Sequence, residues 1–277
     1  MIFLQLLLAT GASLLFLAIV FIPMEKVFAA KQQKLFRQSW VMDLCFFLGQ
    51  YLLWSAVVLF VLDYVSVWID SIVPATFRNA VSEQPFYVQA FEVIIMSDFL
   101  IYWGHRLQHK VDFLWRFHKV HHSSAHLDWL AAHREHSVDS IYTVGIINLP
   151  AIVAGFDLDA LATVIAFRGI WAIYIHSNVR LNIGPLKMII GSPDLHHWHH
   201  DIERDAGNYA NISPLMDKMF GTYVCPPAEP ENFGIKEPFA QNYAGQLLQP
   251  LLPKKIWNSI ATKKKAKGPE AIKKPVI

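Results

Sequence analysis

The chain is short of charge, short of cysteine and, over most of its length, devoid of histidine. Only 17% of its 277 residues are charged and 54% are hydrophobic, where an ordinary soluble domain carries about 25% charged residues. That balance excludes a typical soluble globule and points to an integral membrane protein. A formal net charge of +2 is too small to argue for a nucleic-acid partner. The two cysteines, Cys45 and Cys225, lie far apart. They make no CxxC or zinc-ribbon pattern and no disulfide framework. There is no internal repeat, and the lysine-rich tail is the one low-complexity segment. Histidine is missing from the first 104 residues and from the last 77, so all thirteen fall between His105 and His200.

Long apolar runs are what the chain has in quantity. Residues 2–22 are uncharged, enough to span a hydrocarbon core of ~30 Å. No basic segment precedes the run and Pro23-Met24-Glu25 is not an A-x-A cleavage site, so it reads as a retained span rather than a signal peptide. Residues 25–40 set Lys26, Lys31, Lys34 and Arg37 against Glu25, a basic loop expected on the cytoplasmic side. Residues 44–69 are a second span, 70–84 a short loop on the opposite side, and 85–104 a third span that runs directly into His105. The apolar runs 141–155 and 158–175 flank a turn at Gly155-Phe156-Asp157. They are either a hairpin that crosses and returns or a partly inserted re-entrant pair. Both arrangements bring His176 back to the side of His105. Residues 239–260 are expected along the membrane surface. Lys263, Lys264, Lys265 and Lys267 either attract anionic lipid or form a solvated charge run. The expected fold is all-α: an integral membrane helical bundle with a histidine-rich cytosolic metal-binding cap. Its expected divisions are a two-span anchor over 1–84, the histidine-bearing unit with further membrane helices over 85–235, and an amphipathic, basic tail over 236–277.

The histidines are clustered. His105 and His109 make HxxxH; His118, His121 and His122 make HxxHH; His196, His199 and His200 make a second HxxHH around His197. Residues three and four apart share a helix face, so each cluster is expected to aim its rings at one point. Neutral imidazole ligates iron, zinc, copper and nickel. A lone histidine is far more often a surface or core residue, but three helically spaced clusters in one window are not independent accidents. Eight such nitrogens exceed what one ion takes, and a two-metal centre is the economical explanation. Ser192-Pro193-Asp194 is expected to start the helix carrying the last cluster, with serine as cap and proline at the first helical position.

The ordered motifs resemble the fatty acid hydroxylase/sterol desaturase superfamily. They are Asp98 seven residues before His105, His105-x3-His109, Trp115-Arg116-Phe117-His118-Lys119-Val120-His121-His122, Arg134-Glu135-His136, His176-Ser177-Asn178, Ser192-Pro193 leading to His196-x2-His199-His200, Asn208-Tyr209 and Asp217-Lys218-Met219-Phe220-Gly221-Thr222. Each motif alone is weakly specific; their order, spacing and membrane context together are highly specific. The resemblance covers roughly residues 93–235. It implies a membrane-bound di-iron oxygenase that uses O2 to hydroxylate or desaturate a lipid: a sterol, a fatty acyl chain or a related molecule. Electrons would come from a separate donor such as cytochrome b5, ferredoxin or a reductase. Carried over by position, the implied catalytic ligands of two iron ions are His105, His109, His118, His121, His122, His196, His199 and His200, with His176 and His136 as further metal ligands. The chain departs from the pattern at His133, which precedes Arg134, at Ser137, where proline is often found, and at the extra His197.

Three polar residues are expected to orient the ligands. Metal-bound imidazoles need an acceptor for their second N–H. Asp98 lies two helical turns before His105 on the same face and is an expensive residue inside a span; Asn208 and Asp217 are the other candidates, with a solvated loop carboxylate as the competing reading of Asp217. His197, one step from His196, points about 100° away around the helix and is expected to hydrogen-bond rather than ligate. His126 and His133 match no motif. All-nitrogen ligation leaves open a metal transporter or a non-catalytic metal-binding membrane protein, which would place ligands along a path through the spans.

Overall fold

The structure is a computed structural model that describes residues 2–157 and 161–257. It is helical throughout, with two isolated β-bridges and no strand among the described residues. The lysines at 263–267 lie outside them, as does the end of the expected surface segment.

Four helical stretches are long and apolar enough to cross a membrane. The first is α1 (Ile2–Val27). The second joins α2 (Trp40–Gly49) to α3 (Ser55–Ile72) through a π-helical turn, Gln50–Trp54, in which Ser55 N–H bonds Gln50 O. The short α4 (Ala75–Ser82) then leads to the third, α5 (Phe86–Lys110). The fourth is α7 (Ser137–Ala154), and the shorter apolar α8 (Ala162–His176) returns antiparallel to it. Between α5 and α7 lie α6 (Asp112–His118) and two 3-10 turns, His121–Ser123 and Ala131–His133. The rest of the cap carries α9 (Pro193–His199), α10 (Leu215–Met219) and α11 (Tyr243–Leu248).

Large apolar side chains along α1 and α3, including Leu8, Leu15, Ile19, Leu59, Phe60 and Trp68, are exposed. Contiguous apolar surface of this kind is what lipid covers. Inside the bundle, Leu17 and Phe21 of α1 pack on Phe47, Ile173 and the cap residues Trp129 and Leu130. Close packing of α5 on α7 uses Gly104, whose Cα sits against Ile146 and Tyr142; Ser97 Oγ donates to Ile147 O at 2.7 Å.

The α7–α8 pair runs the depth of the bundle. Gly155 ends α7 at φ 77°, accepting the left-handed position that closes the helix. It lies against Arg78 of α4, and Asp157 N–H donates to Gln89 at the start of α5. The turn therefore reaches the end of the bundle opposite the histidines, which favours the crossing hairpin over the re-entrant pair. Residues 28–39 sit at the histidine end: Ala30 N–H bonds Asn178 O and Lys31 N–H bonds Asn178 Oδ1. Residues 239–257 fold onto the cap and α2, with Tyr243 edge-on to Phe46 and its hydroxyl accepting from Trp54 Nε1 at 3.3 Å.

Candidate metal centre

Nine histidines converge into two groups. His105, His109, His118, His122 and His199 form one; His121, His176, His196 and His200 form the other, and all nine are buried or nearly so. Each HxxHH box is divided between them. His118 and His122 go to the first group and His121 to the second; His196 and His200 go to the second and His199 to the first. The sequence reading expected each box to aim at one point. The division follows from local geometry: α6 ends at His118, and His121 and His122 stand on a separate 3-10 turn. His200 caps α9 rather than continuing it. Residues four apart still share a direction, while the third ring faces the neighbouring group. The groups adjoin, with the His122 and His200 rings stacked at 4.3 Å.

Hydrogen bonds fix which nitrogen faces inward. Nδ1–H of His105 donates to Tyr209 O at 2.9 Å, His121 to Arg134 O at 3.1 Å, His176 to Ala172 O at 2.6 Å and His199 to Gly207 O at 2.7 Å. His109 Nδ1 donates to Arg204 O, and His118 Nδ1 to the Asp139 carboxylate at 2.9 Å. An acceptor at Nδ1 leaves Nε2 with a lone pair. The Nε2 atoms of these rings and of His122, His196 and His200 face one another: 3.1 Å between His105 and His118, 3.2 Å between His118 and His122, 2.8 Å between His121 and His176, 2.9 Å between His176 and His196, and 3.1 Å between His196 and His200. Nε2 of His109 and His199 has no hydrogen-bond partner at all among the described residues. Buried lone pairs at this spacing repel unless a cation lies between them. With a metal–imidazole bond of ~2.1 Å and ligands at right angles, neighbouring nitrogens fall ~3.0 Å apart. The residues present therefore fit a metal ion in each group.

The electrostatics agree. Burial first, and the adjacent rings second, push His118, His121, His122, His196, His199 and His200 well below the ordinary histidine value. The neutral ring is the form that binds metal. Burial holds His133 down at about 4 and, together with Asp139, raises Glu135 to about 8.

His136 stands apart from both groups. It caps α7, its Nδ1 accepting from Val138 N–H at 3.1 Å and its Nε2 donating to Leu247 O at 2.9 Å. His197 is also turned away, with its nitrogens 2.7 Å from Glu229 Oε2 and 3.0 Å from Ser177 O. His133 packs edge-on to Phe47 and His126 is half-buried in the cap. Asp98 touches no histidine: its oxygens accept the N–H groups of Ile212 and Ser213 at 2.9 and 3.1 Å. Asp217 is buried and accepts from Tyr209 and Ala210 N–H and the Thr222 hydroxyl. Asn208 Nδ2 donates to Leu195 O and Val224 O. These three residues shape the 208–213 loop that delivers Tyr209 O to His105, so they act on the centre through the backbone. Ser192 precedes α9 as expected, but its hydroxyl donates to Asp194 rather than accepting a backbone N–H.

Asp139 is the carboxylate the sequence reading missed. It lies in the first turn of α7, accepts from His118 and takes Gln108 Nε2 at 2.7 Å. Its signal was a buried-span aspartate three residues after His136, hidden because residues 105–140 read as one polar connection.

His176 opens onto a cavity of about 570 Å3 between the spans, bounded by Phe16 and Leu17 of α1, Gln50 and Tyr51 of the π-helical turn, and Ile170 and Ile173 of α8. Glu135 and His133 line its cap end.

Comparison with known proteins bears on this arrangement. Residues 90–222 match the fatty acid hydroxylase family model. Ornithine lipid hydroxylase OlsE of Rhizobium tropici is 32% identical over 167 residues, covering 58% of this chain and 50% of that protein. Human alkylglycerol monooxygenase is 35% identical over 135 residues, 48% of this chain and 30% of that protein. A putative Delta(7)-sterol-C5(6)-desaturase 2 of Arabidopsis thaliana is 30% identical over 152 residues, 52% of this chain and 51% of that protein. The chain thus spans about half or less of the length of these relatives. No solved structure matches it.

Proposed function

We propose, from the match of residues 90–222 to the fatty acid hydroxylase family model, that the chain is a membrane-bound di-iron oxygenase that hydroxylates or desaturates a lipid. The observation that carries this reading is the pair of histidine groups, nitrogen atoms inward, with His176 opening on an apolar cavity among the spans. His105, His109, His118, His122 and His199 would hold one iron, and His121, His176, His196 and His200 the other. Bound iron would supply O2 activation at an unactivated C–H bond. In hydroxylation one oxygen atom enters that bond. The other leaves as water, taking up two electrons from a separate donor and two protons.

The chain's own groups have defined parts. The Nδ1 acceptors lock the rings in place before any metal binds. The walls supplied by α1, α3 and α8 exclude water and hold one carbon of the lipid against the cap. A path of ligands through the bilayer, which a transporter needs, is not what the histidines form: they gather at one end of the bundle.

Purified protein should contain about two irons per chain. Lipid extracts of cells expressing it should gain species one oxygen heavier, or two hydrogens lighter, than extracts of cells lacking it. Folded protein without metal, or metal flux into proteoliposomes with an unchanged lipid profile, would overturn the reading.

A further inference from the structure

A second cavity, of about 210 Å3, lies between α5, α7 and α8. Its walls are mostly apolar, including Val93, Ile147, Leu161 and Val164, but Arg168 and Asn211 also line it. Arg168 is only 6% exposed, and it sits mid-helix in α8. Its Nε and Nη2 have no hydrogen-bond partner among the described residues, and neither has Asn211 Oδ1. Asp98 of the neighbouring helix is near enough for its charge to act on Arg168, but its oxygens accept two backbone N–H groups and no hydrogen bond joins it to the guanidinium. A guanidinium inside a span with unmet donors is costly, and such residues mark binding or transport sites.

The cavity does not stand alone. Val144, Gly169 and Ala172 line both it and the larger cavity that reaches His176. The shared wall on α8 is therefore built from a glycine and an alanine. A Cβ placed on Gly169 would meet nothing within 4 Å, so the space beside it is open. Arg168 and His176 are eight residues apart, ~12 Å along a helix.

We propose that Arg168 and Asn211 form a subsite for the acceptor oxygens of an acyl group, a carboxylate or a neutral carbonyl, whose hydrocarbon chain passes Gly169 into the cavity at His176. The proposal rests on the lipid-oxidising reading and narrows it to substrates bearing such an oxygen. The planar guanidinium fork matches a pair of acyl oxygens. A volume near seven times that of a liquid water molecule (~30 Å3) admits a carboxyl or ester with a few methylenes. It is too small for a hydrated headgroup. The Asn211 amide supplies a second polar contact once it turns its Nδ2–H, rather than its oxygen, to the acyl oxygen. Arg168 is thus a positioning residue: it fixes the end of the chain, and the distance to His176 selects which carbon is presented.

The test is equilibrium binding of radiolabelled hexadecanoic acid, methyl hexadecanoate and hexadecane to the purified full chain in detergent. The acid, or the acid and the ester, should bind at least about tenfold more tightly than hexadecane. Preference for the acid alone assigns a carboxylate; equal binding of acid and ester assigns the carbonyl oxygen. Arg168→Met should erase the preference in a protein that still folds, because Asp98 keeps its two backbone N–H donors when the guanidinium is lost. Arg168→Lys should restore part of it for the acid. Asn211→Ala, which removes the amide N–H donor, should weaken acid binding in a protein that folds as before, because the Asn211 oxygen has no partner among the described residues. Gly169→Leu, built into open space, should weaken binding of all three probes. Equal binding of hexadecane, or an undiminished preference in both Arg168→Met and Asn211→Ala, would overturn the subsite. None of these measurements needs turnover, so a chain that binds acyl oxygens selectively but carries no iron would refute the oxygenase reading and leave the subsite standing.

Discussion

At the scale of the residue, the ring directions decide which histidines matter. His121 carries Nε2 2.8 Å from that of His176 and has its Nδ1 held by Arg134 O. No neighbouring side chain can supply a nitrogen from the same angle. His197, the residue directly after His196 of the second group, spends both nitrogens on Glu229 and Ser177. His121→Ala should therefore lose activity and lower iron content, while His197→Ala keeps its metal and loses at most the 10- to 100-fold typical of an outer hydrogen-bond partner. Iron content and turnover at matched expression measure both; full activity in His121→Ala would refute the grouping. The clusters themselves were legible because i, i+4 spacing is a strong local signal. Their division between two groups was not, because it depends on where α6 and α9 stop. Asp139 and the carbonyls of Arg134, Arg204, Gly207 and Tyr209 escaped for a related reason. Backbone acceptors have no residue type, and their partners lie 8 to 104 residues away.

At the scale of the element, a buried ionic network ties the first membrane helices to the centre. Arg37 reaches Asp128 through two bonds of 2.7 and 2.6 Å and Asp43 at 2.7 Å, and Arg134 meets Asp43 at 2.5 Å. All four side chains are nearly inaccessible. Asp43 is in the first turn of α2, and Arg134 presents the carbonyl that orients His121. Removing one member of such a network leaves an uncompensated buried charge, worth about 3–5 kcal/mol. Asp43→Asn should lower the thermal unfolding midpoint in detergent and weaken iron retention by the second group more than by the first. An unchanged midpoint would mean the network contributes little. Helix positions could be read from apolar run lengths: residues 2–22 lie in α1, 44–69 in the helical stretch from α2 to α3, and 86–104 in α5, with Pro85 just before it. The loop between the first two reads differently in three dimensions. Arg37 is buried in the network, Lys31 reaches Pro230 O and Glu231 O, and Glu25 accepts from Trp129 and Asn178 N–H. A count of charges along the chain cannot separate those engaged in the cap from those left for the membrane surface, Lys26 and Lys34.

At the scale of the whole molecule, the cap and residues 28–39 share one end of the bundle, and α4 marks the other. From the excess of lysine and arginine in residues 25–40 we propose that the cap faces the cytoplasm. A cysteine at Lys34, in a chain with Cys45 and Cys225 replaced, should react with an impermeant thiol reagent only from the cytoplasmic side, and one at Glu83 only from the opposite side; the reverse pattern would invert the orientation. The cap also sets the response to acid. In the folded chain, six cap histidines outside the spans ionise well below 6.5, and His133 does so at about 4. As the pH falls through 6.5 the unfolded chain binds protons that the folded chain refuses. Stability is therefore fully present above that value and declines on the way down to the folded values, by up to ~1.4 kcal/mol per pH unit for each ring. Raised Glu135 acts in the opposite sense: unfolded carboxylates give up their proton near 4.5 while the folded one keeps it to about 8, so its contribution falls as the pH rises. Asp217, also pushed up by burial, acts in the same sense as Glu135, and seven rings outweigh these two carboxyls. Thermal unfolding of metal-free protein should therefore show a midpoint that drops steeply from pH 7 to pH 5. Metal should steepen the fall, because protons and iron compete for the same lone pairs. A midpoint flat across that window would mean the rings are already protonated in the folded cap, and inward-facing Nε2 lone pairs would then be the wrong description of the centre.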